Sequence, residues 1–490
     1  MTRFLISFLM VLATMTVLTG QTASDALRFS YLSPVGTARA AGVGGAMGAL
    51  GADFTTLSTN PAGIGGFWKS EFMFSGALLR VNTKSTLESN PTSEELASQF
   101  NVSNIGIVFA NQPRRGQWKS VGFGFGLNRM ANYTQEFFFS GETDGTIVDR
   151  FAGLAFGLTP NELDDFEAGL AFETGAIFDL EEDGLYETDF IGEENEVFRK
   201  QQLSKATGYS NEMVISFGGN YQDKLLLGAT VGIPFILFES ERIYEEEDEA
   251  DVVPAFNRLG FEEFLRIEGS GVNFKLGAIA KINSRFRVGA AFHTPTLLNM
   301  TDRYSTSLEY SFRQGGTDES FSSLSPEGEF EYSITTPWRA IGSAAVVLGR
   351  RGFISGDLEY VDYSAAKFDL TKNSDNTDDR IYQDQLNNEI DEIYRGAVNI
   401  RVGGELVWEM LRVRGGLQLL GSPFKSDNTT QEIISFGGGV RGNKVFLDLA
   451  VQYNSEKERY LPYLIENAPV QSVENKINRT QLLATVGFKL

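Results

Sequence analysis

The feature that decides the fold is a strict alternation in residues 121–127, which read Val-Gly-Phe-Gly-Phe-Gly-Leu. The same period of two recurs in residues 104–109, 285–292 and 445–453. Successive side chains of a β-strand point to opposite faces of its sheet. Each stretch therefore places large apolar side chains on one face and glycine or polar side chains on the other. The sequence predicts an all-β protein whose strands have one apolar face.

Length, connections and the end of the chain decide between a soluble β-sandwich and a membrane barrel, since both alternate. The alternating segments are about ten residues long, longer than a usual soluble strand, as a tilted membrane crossing requires. Short turns such as 222–223 alternate with long polar connections such as 371–391. The last strand keeps its apolar face to the end, with Phe488 two residues before Leu490, where such barrels usually have a terminal aromatic residue. These features favour a transmembrane barrel.

Membrane-spanning helices are excluded. Outside the first 20 residues, the nearest apolar run is residues 225–238, and Gly228, Gly232 and Pro234 interrupt it. A spanning helix needs roughly 20 apolar residues, and only helices and closed barrels satisfy every backbone polar group in lipid. We therefore predict a transmembrane antiparallel β-barrel over residues 70–490, with an even number of strands, about 14, and with long extracellular loops.

The composition excludes several classes of protein. No Cys is present, which excludes disulfides, zinc fingers and cysteine nucleophiles, and the single His removes His-rich metal sites. The formal net charge is −22, from 64 acidic and 42 basic residues. This sign disfavours nucleic acid, whose phosphates need a basic surface. We interpret the excess of acidic residues as solvated extracellular loops.

Residues 1–20 are predicted to be a secretory signal peptide. Arg3 precedes an uncharged apolar stretch that runs to Leu18, and small residues follow, so cleavage is expected after Gly20 or Ala23. The apolar stretch, about 15 residues, is too short to span a bilayer comfortably. The mature chain is therefore expected to leave the cytoplasm, and the lack of Cys leaves no site for a lipid anchor.

Residues 21–69 do not follow the period of two and form a separate predicted unit. Residues 38–51 are rich in Gly and Ala, and residues 53–66 have the composition of turns and loops. A segment with so few large side chains builds no core of its own, but it packs closely inside something else. We predict an N-terminal plug inside the barrel lumen.

Two connections, residues 159–208 and 239–263, carry more aromatic and aliphatic side chains than a wet surface usually does. One interpretation is that these loops pack on one another as lids. The other is that they form an apolar landing surface at the barrel mouth. The candidate ligand-docking residues of the second interpretation are Phe151, Leu154, Phe156, Phe172, Phe256 and Phe261.

Two motifs near the N-terminus carry a family resemblance. Residues 37–46 read Thr-Ala-Arg-Ala-Ala-Gly-Val-Gly-Gly-Ala, and residues 60–63 read Asn-Pro-Ala-Gly. With a barrel behind them, these motifs resemble the plug of the outer-membrane long-chain fatty acid transporter family, which includes channels for aromatic hydrocarbons. Further stretches resemble the members found in Bacteroidetes-type bacteria, namely residues 270–277, 288–295, 336–339 and 411–416.

The resemblance implies a barrel of about 14 strands with an N-terminal plug that contains Asn60, Pro61 and Ala62. It also implies passive uptake of hydrophobic small molecules, such as long-chain fatty acids, across the bacterial outer membrane without a cofactor. In such proteins the ligand docks among extracellular loops, moves to an inner apolar pocket and leaves sideways into the lipid where one strand kinks. The alternative function is that of a carrier or scaffold in protein secretion, which binds a protein partner.

Candidates for that kink are Gly122, Gly124 and Gly126 in one strand and Pro234 in another, because Gly weakens a ladder and Pro cannot donate to it. In the alternative, the glycines make room for the plug, and Pro234 ends a strand.

No enzyme, metal site or cofactor is predicted. The glycines of residues 42–48 lack the apolar strand that precedes a dinucleotide-binding loop. His293 has no accompanying Gly-x-Ser-x-Gly motif for a Ser-His-Asp site. The acidic runs 245–249 and 375–379 lack the spacing of a calcium loop. The expected partners are hydrophobic small molecules, with outer-membrane lipid and lipopolysaccharide around the barrel.

Overall fold

The computed structural model describes residues 21–33, 36–190, 197–314, 317–372, 376–465 and 471–490. The predicted signal peptide, residues 1–20, lies outside the described residues. Among the helices within these ranges, none is long and apolar enough to cross a bilayer.

The strands close into one antiparallel barrel. A 19-stranded sheet closes on itself, because its first and last strands pair from Glu71↔Lys489 to Leu87↔Val473. Four wall strands are each built from two consecutive segments, and one further segment only extends a hairpin, so the wall has 14 strands. The prediction of an all-β transmembrane barrel of about 14 strands is confirmed.

The segments follow one another around the wall. The first are β1 (Glu71–Leu87), β2 (Ser93–Asn111), β3 (Trp118–Asn132), β4 (Gln135–Thr143), β5 (Ile177–Phe178), β6 (Glu187–Thr188), β7 (Phe198–Tyr221), β8 (Leu225–Glu247) and β9 (Phe256–Lys281). The others are β10 (Phe286–His293), β11 (Leu297–Gln314), β12 (Thr317–Leu324), β13 (Gly328–Thr335), β14 (Arg339–Val347), β15 (Gly352–Asp362), β16 (Lys367–Asp369), β17 (Gly396–Trp408), β18 (Leu411–Gly421), β19 (Thr430–Arg441), β20 (Val445–Tyr460) and β21 (Val473–Lys489). Two segments share a wall strand in β3–β4, β10–β11, β13–β14 and β15–β16, whereas β12 pairs with β11 alone and β5 with β6 alone.

Helices are short and lie in the N-terminal segment or in the connections. They are α1 (Ala23–Ser30), α2 (Ala38–Gly42), α3 (Thr56–Thr59), α4 (Val148–Ala155), α5 (Ala168–Glu173) and α6 (Thr377–Ile393), with 3-10 turns at Pro61–Gly66 and Tyr363–Ala365.

The alternation in β20 shows which face meets which surroundings. Val445, Leu447 and Leu449 are exposed on the outside of the barrel, while the residues between them are buried. Among the buried residues, Asp448 lies 2.7 Å from Arg414 Nη1 of β18, and both side chains are fully buried. An apolar outer face and a polar inner face are what a barrel in lipid requires.

The two ends of the barrel differ in their connections. At one end, named the short-turn end, the wall strands are joined by residues 112–117, 222–224, 282–285, 348–351, 409–410 and 442–444. Gln222 and Asp223 have positive φ, 54° and 57°, which gives the tight turn that matches the twist of antiparallel strands. At the other end, named the long-loop end, the connections are longer and include α4, α5 and α6.

The connection between β4 and β7 folds over the long-loop end and is named the cap. Its helices α4 and α5 pack with the ends of β7, β8 and β9 around one apolar cluster, in which Phe151 and Phe256 are fully buried. Glu246 of β8 holds the start of α4, because its carboxylate accepts hydrogen bonds from Thr146 Oγ1 at 2.5 Å and Ile147 N at 2.9 Å. The cap therefore has its own core and its own polar anchor.

One ion pair joins the two helices of the cap. Arg150 Nε on α4 lies 2.6 Å from Glu167 Oε2 just before α5. Burial raises the pKa of the Glu167 carboxyl, although the hydrogen bond and the charge of Arg150 act in the opposite direction. The pair keeps the two helices together in a setting where a lone buried carboxylate is costly.

Residues 21–33 and 36–67, together named the N-terminal segment, lie inside the barrel, and residues 36–67 are almost entirely buried. Wall side chains donate hydrogen bonds to its backbone carbonyls, such as Ser120 Oγ to Gly65 O and Thr230 Oγ1 to Leu57 O, both at 2.9 Å. Wall glycines let the segment approach, since a Cβ atom on Gly228 would lie 2.2 Å from the carbonyl oxygen of Pro61. The segment is thus bound to the wall from several sides.

Candidate functional site

The wall is not hydrogen-bonded throughout. The β2–β3 ladder runs from Asn111↔Val121 to Asn104↔Asn128 and stops there. From that point toward Ser93, β2 pairs with β1 alone. On the other side of the ladder's end, β4 pairs with β7. No ladder in the described part of the chain joins residues 93–103 of β2 to residues 129–143 of β3 and β4. We name this opening the wall gap.

The gap arises because β4 leaves the wall. A register shift lies between Arg129 and Ala131, and β3 ends at Asn132 before β4 begins at Gln135. Beyond the break, the chain is bound by inward-facing side chains of β20 and β21, the strands that follow β1 around the wall on the other side of the gap. Arg479 Nη1 of β21 donates to Thr134 O at 3.0 Å, and Gln135 Nε2 donates to Glu458 Oε2 of β20 at 3.1 Å. The strand β4 therefore lies on the inner side of the wall, close to β1 and β2, and among the described residues no ladder joins it to β2.

Side chains close the gap where the backbone does not. Gln99 Oε1 of β2 accepts hydrogen bonds from Asn132 Nδ2 at 3.0 Å and from Thr134 Oγ1 at 2.6 Å. These two bonds form a latch, because they can break without disturbing a backbone ladder. A second contact lies at the far end of β4, where Asn90 of the β1–β2 turn donates to Glu142 O and accepts from Glu142 N, both at 3.1 Å.

The N-terminal segment lies against both edges of the gap. The backbone N–H of Ser33 donates to Met130 O of β3 at 2.9 Å, and Ser103 Oγ of β2 donates to Gly36 O at 3.0 Å. A movement of the segment and a movement of the gap edges are therefore coupled through direct hydrogen bonds.

A row of hydrogen-bonded polar side chains joins the end of the gap nearer the short turns to the N-terminal segment. Asn104 Nδ2 of β2 donates to Asn128 Oδ1 of β3 at 2.8 Å. Asn128 Nδ2 in turn donates to Ser58 Oγ of the segment at 2.8 Å. All three side chains are buried, so this row fixes the point at which the ladder ends.

Two large apolar side chains lie on the outer side of the gap. Leu96 and Phe100 lie on the outer half of β2 and are 45% and 70% exposed. Side chains of this kind are stable facing lipid but costly in water. The gap therefore combines these apolar side chains with a polar latch.

The lumen behind the gap holds the N-terminal segment, with a small cavity beside it. One cavity of about 30 Å³ lies between Phe29 and Ser30 of α1 and the wall residues Met130 and Ile236. A cavity of this size holds roughly two water molecules. A hydrophobic ligand of any length can therefore pass here only when the segment moves.

Charged groups on the wall side of this cavity neutralise each other. Lys275 Nζ lies 2.5 Å from Glu212 Oε2, and both side chains are 2% exposed. Lys275 also donates to the carbonyl of Ser58 at 3.1 Å. His293 Nε2 lies 2.8 Å from Thr59 O, so the single imidazole binds the segment. The arrangement holds the segment in place.

The predicted plug motif begins the 3-10 turn Pro61–Gly66. Asn60 Nδ2 donates to Gly48 O at 2.6 Å, and Asn60 Oδ1 accepts from Ala62 N at 3.2 Å. Asn60, Pro61 and Ala62 are all buried. The asparagine thereby joins two parts of the segment that are distant in sequence.

The candidate docking residues divide into two groups. Phe151, Phe256 and Phe261 are buried together in the apolar cluster of the cap, with Leu154 and Phe172 packed against it. By contrast, Phe156 is 69% exposed. A hydrogen bond from Gly157 N to Gly184 O at 2.8 Å brings Phe156 close to the exposed Leu185. The buried group has the packing expected of a lid, and only Phe156 lies on an accessible apolar surface.

The candidate kink residues occupy different surroundings. Gly122, Gly124 and Gly126 lie in the regularly paired part of β3, and Cβ atoms there would approach Ile64, Leu57 and Phe54 of the segment. Pro234 lies where the β8–β9 ladder is interrupted, between Gly232↔Asn273 and Phe235↔Ser270. The strand β3 thus bends beyond its glycines, and these glycines make room for the segment.

The break after Asn132 escaped sequence reasoning, because the large apolar residues are odd-numbered on both sides of it and only the structure shows that they change surroundings. In β3 the odd-numbered residues Val121 and Phe125 are exposed on the outside, whereas in β4 the odd-numbered residues Phe137 and Phe139 are buried inside. The apolar face therefore changes sides between the two segments. Such a reversal of faces marks a bend or bulge in a strand.

Comparison with known proteins gives a likeness of fold. No protein-family model and no curated protein matches the sequence. The crystal structure of a Pseudomonas aeruginosa FadL homologue is similar, with a TM-score of 0.56, 11% identity, and coverage of 94% of this chain and 99% of that chain. The Pseudomonas putida toluene transporter TodX is similar with a TM-score of 0.51, 12% identity, and coverage of 93% and 98%. The barrel described above is therefore a known architecture.

Proposed function

We propose that the chain is a bacterial outer-membrane channel for passive uptake of hydrophobic small molecules, long-chain fatty acids among them. The observation that carries the proposal is the wall gap, with the N-terminal segment bound to both of its edges at Met130 and Ser103. In this proposal the segment is a plug, and its movement opens the gap sideways into the lipid.

The filled lumen supports a lateral route for hydrophobic ligands. A solute that crossed along the axis would have to displace the buried N-terminal segment, whereas the gap leads directly to the outer face of the wall. Each buried CH₂ group gains about 0.8 kcal/mol outside water, so lipid is a sink for such a ligand. Uptake down this gradient needs no energy source.

The surface of the cap supports a first docking step. Phe156, Leu180 and Leu185 are exposed apolar side chains of one connection. Exposed apolar groups that lie close together on a protein surface mark contact sites for apolar partners. We assign the first contact with the ligand to this surface.

Position in the membrane follows from the barrel. The exposed apolar side chains of β20 require lipid around the wall, and short turns of such barrels face the periplasm. In this orientation the cap projects outside the cell, and the gap opens toward the outer leaflet. Two proteins of similar fold are described as a FadL homologue and as a toluene transporter. This likeness of fold is consistent with the proposal that the chain transports hydrophobic compounds.

The experiment that tests the proposal closes the gap chemically. The chain has no Cys, so the double variant Gln99→Cys/Asn132→Cys has the only two thiols, and a short bis-maleimide links them across the latch. Bacteria without such a channel would carry this variant, and uptake of labelled long-chain fatty acid and of labelled toluene would be measured. We expect uptake before cross-linking and a loss of at least tenfold after it.

The matched control is Arg80→Cys/Ser98→Cys, since these residues are paired across the intact β1–β2 ladder. Cross-linking there should leave uptake unchanged. Uptake of toluene but not of fatty acid would restrict the ligand class to compact hydrocarbons. If neither compound enters through a correctly inserted barrel, the channel proposal is wrong, and protein partners of a secretion scaffold would be sought on the cap.

A further inference from the structure

The short-turn end of the barrel carries a ring of positive charge. Its exposed cations are spread over the separate turns that join the wall strands, and they include Arg114, Arg115, Lys224, Arg285, Arg350 and Arg351. The acidic residues at this end are Glu71, Asp223 and Glu409. The excess of cations stands out in a chain whose formal net charge is −22.

The opposite end has the opposite sign. The cap carries the exposed run Glu181–Asp183, and the end of β8 carries the acidic run Glu245–Glu249. Some cations on the wall near that end are paired with carboxylates, as for Arg303, which lies 2.8 Å from Glu329 and 3.1 Å from Glu268. Charge is therefore sorted along the barrel axis.

The cations of the ring lack protein partners. Lys281 pairs with Asp223, but among the described residues no ion pair reaches Arg114, Arg115, Arg350 or Arg351. Their charge therefore faces whatever surrounds the short-turn end. A cluster of unneutralised cations of this kind attracts anions strongly at distances up to about 10 Å at moderate salt.

Aromatic residues place the ring at the depth of lipid headgroups. Trp118 and Phe286 are exposed on the outside of the wall, at the edge of the apolar band, and each is next to a cation of the ring, Lys119 and Arg285. Such aromatic side chains collect at the boundary between hydrocarbon and headgroups. The cations just beyond them therefore lie among the headgroups of the adjacent leaflet.

We propose that this basic ring binds the phosphate groups of anionic phospholipids, such as phosphatidylglycerol, in the periplasmic leaflet. The cations occupy separate turns around the perimeter, which suits an annulus of lipid better than the single patch that a protein partner would cover. Clusters of Lys and Arg beside a membrane recognise anionic headgroups in this way. The proposal uses the orientation given above, but it does not depend on any transported ligand.

The test measures which lipids stay with the protein. The full barrel would be reconstituted in equal amounts of phosphatidylglycerol and phosphatidylcholine and extracted in mild detergent, and the co-purified lipid would be quantified. We expect at least a threefold enrichment of phosphatidylglycerol, which falls toward one in the variant Arg114→Gln/Arg115→Gln/Arg350→Gln/Arg351→Gln. A matched control, Lys372→Gln/Arg380→Gln/Lys425→Gln/Arg459→Gln, removes exposed cations from the long-loop side and should keep the enrichment.

A second measurement uses the unmodified chain, so that a folding defect of the variant cannot decide the result. Raising NaCl from about 0.05 M to about 0.5 M shortens the screening length severalfold, and the enrichment should fall with it. Equal retention of both lipids by the intact barrel would overturn the proposal. An enrichment that the ring variant keeps, or that the control variant loses, would overturn it as well. Because vesicles contain no transported ligand, none of these outcomes depends on uptake.

Discussion

At the scale of single residues, Asn60 is the most connected member of the N-terminal segment. Its donor reaches Gly48 O and its acceptor receives Ala62 N, with the side chain fully buried. A residue of another shape would leave a carbonyl and an N–H without partners in the interior. Removing one partner of a buried hydrogen bond costs about 1–3 kcal/mol, so this position controls how firmly the segment is held.

We expect Asn60→Ala to loosen the segment while the barrel remains closed. Entry of a large hydrophilic antibiotic into cells carrying the variant should rise severalfold, whereas the thermal unfolding of the barrel in detergent should change little. The matched control is Asn443→Ala, which removes an exposed asparagine from a short turn. Unchanged antibiotic entry with Asn60→Ala would contradict the role assigned to the motif.

Residue roles could be predicted from the sequence only in part. The family resemblance pointed to Asn60-Pro61-Ala62, which lie buried in the N-terminal segment, and their role in a plug stays a prediction. The latch residue Gln99 could not be found this way, because its partners Asn132 and Thr134 are more than 30 positions away in sequence. A polar residue in an alternating strand carries no local sign of what it binds across the sheet.

At the scale of elements, the period of two predicted the strands but not the bend. In the sequence, the glycines were the visible irregularity of β3. They face the N-terminal segment, and the strand breaks later, at Tyr133 and Thr134. Both β3 and β4 alternate, so the local pattern is the same on both sides of the break. Only the surroundings of the apolar face change, from lipid around β3 to the interior of the cap around β4. The sequence shows Phe in both places and does not distinguish a Phe that faces lipid from a Phe in a core.

The cap offers a prediction that separates packing from docking. Phe151→Ala removes a fully buried ring from the cap core and should destabilise the cap by about 3–5 kcal/mol. Limited proteolysis of intact cells should then cut the connection between β4 and β7 much faster. Phe156→Ala removes a ring that is 69% exposed and should leave the cutting rate unchanged.

Uptake assays complete the comparison. If Phe156 belongs to the docking surface, its variant should need a severalfold higher ligand concentration for half-maximal uptake, with the same maximal rate. Faster proteolysis of the Phe156 variant, or normal uptake by it at low ligand concentration, would count against the assignment of Phe156.

At the scale of the whole molecule, composition and chain organisation were enough to predict the architecture. The need to satisfy every backbone group in lipid left a closed barrel as the remaining solution, and the count of about 14 strands agrees with the structure. The register of closure between β1 and β21 joins residues at opposite ends of the chain. Such a pairing depends on the whole circumference and has no local signal.

The filled lumen predicts an electrically silent protein. In a planar bilayer, the intact barrel should show no steady ionic current, because the N-terminal segment occupies the axis. Deleting residues 37–67 should produce stepwise conductance, since the inner face retains charged groups such as Arg414 and Asp448. A steady current through the intact protein would contradict the closed lumen.

The sorting of charge along the axis also governs how copies of the barrel share a membrane. When two copies inserted in the same direction meet, the acidic long-loop ends lie side by side, and so do the basic short-turn ends. Each pair of like-charged ends repels. Anionic lipid between neighbours would reduce the repulsion between the basic short-turn ends. The repulsion between the acidic long-loop ends would fall only with divalent cations or with a larger separation. With screening over about 10 Å, this repulsion favours a collar of lipid around each barrel, and the proposed route through the wall would then stay clear of a neighbouring protein.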